Sequence, residues 1–457
     1  MKRRCFLALG LLFCSAAQLA AQQPDFAALD STVRAELAAS NTPGAALAIV
    51  SGDSIVYAIG YGIANVETGA PVTPDMLFRI GSTTKMYTTA LVTMLAEEGK
   101  LSLDAPIGDY ITGLPPGLSA ITAHQLMTHT AGLRDYANSY GAHDTTALAT
   151  AVRGWSDRDF FTEPARVFSY SNIGMTLAGF LAQEVADRPY ARLVEERILK
   201  PLGMRHTTFE PTQAMTWPLA QGHAARGAAT PTVVRPFADN AGYWPAGFLF
   251  SSVLDLSRFA IAFMAGGQID GRHALSQPVV TKLSAAYTPV HSVYPGGSYG
   301  YGLFAHRFRG VRVLEHGGAI EGFGTLFRMV PDHQFAVIIL ANKSGQSLEK
   351  SAEKAMELML HLDPPIQEKA AAAITPRDLR DLVGRYAHAQ TTVEITNKGG
   401  TLHFKQGPLE LPLTKIGEDH FSMLPPGASR HQEIVAVRGS TGRVEFLHAG
   451  LRALARQ

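Results

Sequence analysis

The chain has 457 residues, 46% of them hydrophobic and 17% charged, with 40 Lys and Arg against 39 Asp and Glu. Such a length calls for two or three folding units with a substantial core, which excludes one small domain. The near-zero charge balance, without any basic block or stripe, argues against a nucleic-acid partner.

In chain order, the first element reads as a targeting segment. Lys2, Arg3 and Arg4 precede the apolar run CFLALGLLFC, and small residues follow in SAAQLAAQQ. That is the layout of a cleaved signal peptide over residues 1–21, with cleavage expected after Ala21. RRCFL also fits a twin-arginine pattern, so export by either the Sec or the twin-arginine route to the periplasm or the medium is expected. The apolar run is short for a membrane span, and bulky Phe13 precedes Cys14 where a lipid-anchor signal wants a small residue. Cys5 and Cys14 both fall inside this segment. The cleaved chain would then have no disulfide, thiol nucleophile or Cys-ligated metal.

Residues 25–40, DFAALDSTVRAELAAS, place apolar side chains at helical spacing. GAALAIV and SIVYAIGYG, split by SGD, read as a β-hairpin; FGTLFRMV and QFAVIILAN form a second one around PDH far downstream. A helix is expected over 346–362. Ends that are β-rich and flanked by helices imply one sheet built from both ends, with a mostly helical insertion over about 85–240. Residues 363–378, DPPIQEKAAAAITPRD, read as a linker. Short alternating runs separated by Gly, Pro and Asn then predict a small all-β domain over 379–457. That domain shows no cluster of Asp, Glu, His or Ser, and a chain truncated near Ala373 is expected to fold, to keep the nucleophile and its partners and to retain ester hydrolysis.

GGSYG around Ser298 matches the nucleophile-elbow pattern but lacks the strand before and helix after that the motif requires. GSTTKM at 81–86 lacks the glycine that a phosphate loop places directly before its lysine. As a plain reading, Ser82 caps a helix over 83–99. As a chemical one, residues three apart share a helix face, so Lys85 presents its amine beside Ser82 Oγ at the positive end of the helix dipole. Two further segments bear on the choice: FSYSNIG supplies Tyr170, Ser171 and Asn172 at a second helix start, and LEHGGAIEG supplies His316, Gly317 and Gly318 on a strand.

In this order and at these separations the three segments resemble the motif set of the serine β-lactamase and penicillin-binding superfamily. The similarity is to the branch of class C β-lactamases, D-alanyl-D-alanine carboxypeptidases, D-aminopeptidases and related esterases. FRIGSTTKMYT, ITAHQLMTHTAGL, PARVFSYSNIG, ILKPLGMRHTTF, PAGFLFSSVLDLSRF, YGYGLF and HGGAIEGFGTLFRMVPD extend the resemblance over roughly 25–360. The C-terminal module is similar to a lipocalin-like appendage. The implied fold is α+β: an antiparallel sheet flanked by helices with a mostly helical subdomain over 22–362, then the all-β domain.

The resemblance implies that Ser82 is acylated, that Lys85 takes its proton, and that Tyr170, its phenol pKa lowered by Lys85, shares the acid–base work. Asn172 would hold the substrate amide and orient Lys85. The backbone N–H groups of Ser82 and Ala319, beside Gly318, would form the oxyanion hole. No metal or organic cofactor is implied, and the partner would be a small-molecule or peptide substrate. His316 stands where true class C β-lactamases have lysine, which argues for D-amino-acid peptides, amides or esters over antibiotics. A β-lactamase proper and a catalytically weak penicillin-binding or sensing module are the alternatives. His316 is expected to change charge near neutral pH while contacting an anionic substrate group. His124 and His129 read as structural, and specificity is expected in loops around 130–165 and 210–245.

Overall fold

The computed structural model describes residues 25–225, 229–294, 296–365, 370–426 and 431–457. The expected signal peptide lies outside the described residues. Two bodies are present, each built on a nine-stranded antiparallel sheet.

The first sheet joins the two ends of the first body. Strand Gly44–Ser51 pairs antiparallel with Phe335–Ala341, Ala48 facing Ile338. Their hairpin partners, Ser54–Asn65 and Phe323–Val330, lie outside them. Beyond Phe323–Val330 the sheet continues through Val311–Ile320, Phe304–Phe308, Gly297–Tyr299 and Thr288–Val290; Ala70–Pro71 ends the other side. Ser298 therefore sits in a short strand near the sheet edge, away from any helix start.

Both faces of the central strands are covered, which explains why they read as unbroken apolar runs. Phe335, Val337, Ile339 and Ala341 face the terminal helices Ala27–Ser40 and Glu349–Met359; there Leu29, Val33 and Leu37 supply a one-sided apolar stripe. Ala336, Ile338 and Leu340 face the helical body. Within that body, helices Lys85–Glu97 and Asn172–Ala186 bury nearly every side chain of their first turns. Ser171 caps the second of these, its Oγ accepting from Gly174 N–H at 3.1 Å.

The second body opens with helix Pro376–Leu382, capped by Thr375 and Asp378. Already at Ala372 the chain is held to this body, its N–H donating to Lys415 O at 2.8 Å. The sheet order begins at Leu409–Pro412 and ends at Thr414–Gly417, two strands separated by Leu413 alone. Edges joined by one residue must lie together, so the sheet curls into a barrel-like form around Tyr386, Val393, Phe404, Phe421 and Leu447. Among the described residues no helix is long and apolar enough to cross a membrane.

Candidate active site

Ser82 lies in a 3-10 turn, Gly81–Thr84, that runs directly into helix Lys85–Glu97. The sequence predicts a helix starting at 83; the chain instead makes this tighter turn first, entering it through Gly81 at a positive φ of 50°. Strand Val311–Ile320 then passes very close. A Cβ on Gly318 would lie 2.0 Å from Ile80 O, and one on Gly81 would lie 2.6 Å from Ala319 N. Glycine at both positions is what lets the Ala319 N–H come up beside Ser82.

Lys85 is fully buried. Its Nζ lies 3.0 Å from Ser82 Oγ, 2.8 Å from Asn172 Oδ1 and 2.5 Å from Ala246 O. Burial pushes its pKa down to about 7; Asp135 opposes this and Arg452 adds to it. The geometry suits a neutral amine. Its two N–H bonds can go to the two carbonyl oxygens, which only accept, leaving the lone pair for the Ser82 hydroxyl proton.

Tyr170 packs its ring 4.7 Å from Lys85 Nζ and hydrogen-bonds with Ser82. The sequence-based expectation of a lowered phenol pKa fails here. Burial raises it, and the opposing effects of Ser82 and Arg452 are smaller. Tyr170 is therefore held as a neutral phenol.

His316 is corrected more strongly. It is 2% exposed, packed against Tyr170, Tyr299 and Phe304. Its Nδ1–H donates to Gly317 O at 2.6 Å, so Nε2 accepts from the Tyr299 hydroxyl at 3.1 Å. Burial, with the nearby Lys85, lowers its pKa to about 3. It is neutral throughout the working range and does not line the cleft, so it cannot serve as a cation for an anionic substrate. His129, read as structural, sits behind Tyr170 with ring centroids 4.3 Å apart, and burial likewise keeps it neutral.

The cleft over Ser82 has a volume of about 360 Å³ and is lined by Asn172, Tyr243, Phe248, Ala319 and Glu321, among others. Ala137, Ser139 and Tyr243 bring in both loop regions expected to set specificity. Gly318 lies just behind, under the turn. Among the described residues no group of His, Cys, Asp or Glu could hold a metal ion.

Several contributors were not legible in the sequence. Asp135 accepts from the Asn172 backbone N–H at 2.7 Å and from its Nδ2 at 3.0 Å, fixing which way the amide faces Lys85. Asp135 Oδ2 in turn accepts from Arg452 Nε at 2.9 Å, and its backbone N–H donates to His388 at 3.0 Å. Arg452 and His388 belong to the second body, and Arg452 also stacks over the Tyr170 ring, 5.2 Å from its centroid. Tyr170 N–H donates to Leu451 O at 2.9 Å, and Ala453 N–H to Ser169 Oγ at 3.2 Å. Ser82, Lys85, Tyr170, Asn172 and Ala319 all belong to the first body, as expected from the sequence, but the all-β domain supports them from outside through Asp135 and Tyr170. What hid this is that Asp135 and Arg452 stand 317 residues apart with no local pattern around either.

A family model described as Beta-lactamase matches residues 29–359. Among curated proteins the chain is similar to Protein flp of Staphylococcus aureus (strain MW2), 25% identical over 333 residues that cover 71% of this chain and 64% of that protein. The chain thus spans about 64% of the length of that relative. Among solved structures it is similar to the crystal structure of SurE, with 25% identity and a TM-score of 0.74 over 94% of this chain and 98% of that one. It is also similar to a D-stereospecific amidohydrolase from Streptomyces sp., with 25% identity and a TM-score of 0.59 over 73% of this chain and 98% of that one.

Proposed function

The chain belongs to the β-lactamase family, and from that premise we propose that it is an exported serine hydrolase that forms an acyl-enzyme on Ser82 and hydrolyses a D-amino-acid peptide, an amide or an ester. Export is supported by the charged and apolar layout of residues 1–21.

In this reading Ser82 Oγ attacks the substrate carbonyl while its proton passes to the neutral amine of Lys85. The carbonyl oxygen gathers negative charge, which the N–H groups of Ser82 and Ala319 meet; losing one such donor typically costs roughly 10²–10³ in turnover. As the carbon–leaving-group bond breaks, the neutral phenol of Tyr170 gives its proton to the departing atom and is reprotonated from Lys85. Water then attacks the acyl-enzyme by the reverse route, releasing the acid and restoring the Ser82 hydroxyl.

The observation that carries the proposal is the Lys85 amine, buried, brought to about 7, and 3.0 Å from Ser82 Oγ. Two results are expected from the purified, folded protein. Ser82→Ala abolishes fluorophosphonate labelling and p-nitrophenyl ester hydrolysis; Lys85→Ala nearly does, and the double variant is scarcely worse than Ser82→Ala. Undiminished turnover by folded Ser82→Ala overturns the mechanism.

A further inference from the structure

The chemistry of the cleft wall is one-sided. Among the described residues that line it, Glu321 carries the only carboxylate, and no Lys, Arg or His side chain lines it at all. The nearby cations are spent elsewhere. Lys85 lies beneath the floor on Ser82, Asn172 and Ala246, and Arg79 is buried against Ala238 O and Asp239.

Glu321 follows the strand that carries Ala319, in the turn between Val311–Ile320 and Phe323–Val330. Its Oε1 accepts from Ser139 Oγ at 2.5 Å, a hydroxyl supplied by a loop 182 residues away. The remaining acceptor capacity of a carboxylate, about four lone-pair sites in all, stays available at the cleft wall.

A carboxylate-bearing substrate entering this cleft meets a like charge and no cation in the lining; Arg79, which feels the charge of Glu321, is buried behind the wall. A substrate with a free ammonium near its scissile carbonyl meets a half-buried carboxylate, where a charge-assisted hydrogen bond is strong. We propose that Glu321 is a specificity-determining residue that binds the ammonium group of N-terminally free amino-acid amides and esters, making the enzyme an aminopeptidase-type hydrolase. This rests on the reading of Ser82 as nucleophile.

The test compares D-alanine p-nitroanilide with its N-acetyl and N-succinyl derivatives, which share the scissile bond and differ in charge. The neutral p-nitrophenyl acetate and fluorophosphonate labelling of Ser82 run alongside. In wild type the free-amine substrate is expected to exceed the N-acetyl one in kcat/KM by about tenfold or more, the scale of one hydrogen bond to a charged group. Glu321→Gln is expected to collapse that ratio, chiefly through KM, and Glu321→Lys to move preference to the N-succinyl substrate. A wild-type ratio near one, or a ratio that survives Glu321→Gln, overturns the proposal without needing any variant beyond these. Failure of both the neutral ester and the Ser82 label overturns the underlying serine-hydrolase reading instead, so the two failures are told apart.

Discussion

Lys85 touches two carbonyl oxygens and a hydroxyl, but no carboxylate, so the desolvation of its charge outweighs what its neighbours return. That sets the sign of the pH dependence. Below about 7 the amine is protonated and has no lone pair for the Ser82 proton; above it, the base is ready. For a neutral ester, kcat/KM should therefore fall as pH drops through about 7 and level off above it. Tyr170, kept protonated by burial, and His316, kept neutral, add no second inflection near neutrality. A stopped-flow or plate-reader profile that stays flat from about pH 5 to about pH 9 would remove Lys85 as the base. Ser82 and Lys85 were legible because their relation is local, three residues along one chain. The identity of His316 was equally legible, but its charge state was not. That state comes from the rings of Tyr170, Tyr299 and Phe304, which only the fold brings around it.

Among the elements, the decisive contact is the strand Val311–Ile320 laid against the turn Gly81–Thr84. Thr83 Oγ1 donates to His316 O at 3.3 Å, tying the two together a few ångströms from Ser82. Gly318→Ala tests the fit, because its Cβ would collide with the carbonyl of Ile80, which cannot swing away as a side chain would. The expected cost is about 1–3 kcal/mol of stability, measured by urea unfolding. On a neutral ester, kcat should fall on the order of 100-fold, since displacing Ala319 misaligns the oxyanion donors. Wild-type turnover by this variant would mean that Ala319 N–H is not part of the oxyanion hole. Most strands and long helices could be read from apolar periodicity. The 3-10 turn could not, because one tight turn leaves no period to detect.

For the molecule as a whole, the second body acts on the chemistry through Arg452. This residue lowers the pKa of Lys85 directly and also pairs with Asp135, whose charge works the opposite way. Arg452→Ala removes a positive charge and leaves Asp135 unpaired; both changes favour protonated Lys85. The acid limb of the pH–rate profile should shift to higher pH, with kcat at neutral pH down by roughly tenfold as the carboxylate that holds Asn172 loses its own partner. Arg452→Lys should reverse part of the shift, because it returns the charge without the paired N–H donors. An unmoved profile in Arg452→Ala would reduce the contact to simple docking. The all-β character of this body was legible from its short alternating runs, but its reach into the site was not. Leu451 O accepts from the Tyr170 N–H, a backbone pair that any sequence could make, and the Ala453 N–H donates to a single hydroxyl, Ser169 Oγ.

That docking also spreads the support of one small site over almost the whole chain. Ser82, Lys85, Asn172 and Asp135 are already joined to one another within the first body. The cation that meets Asp135 comes from a segment 317 residues further along. A chain cut short before Arg452 therefore carries the proposed nucleophile and base with one flank of their support left open to water.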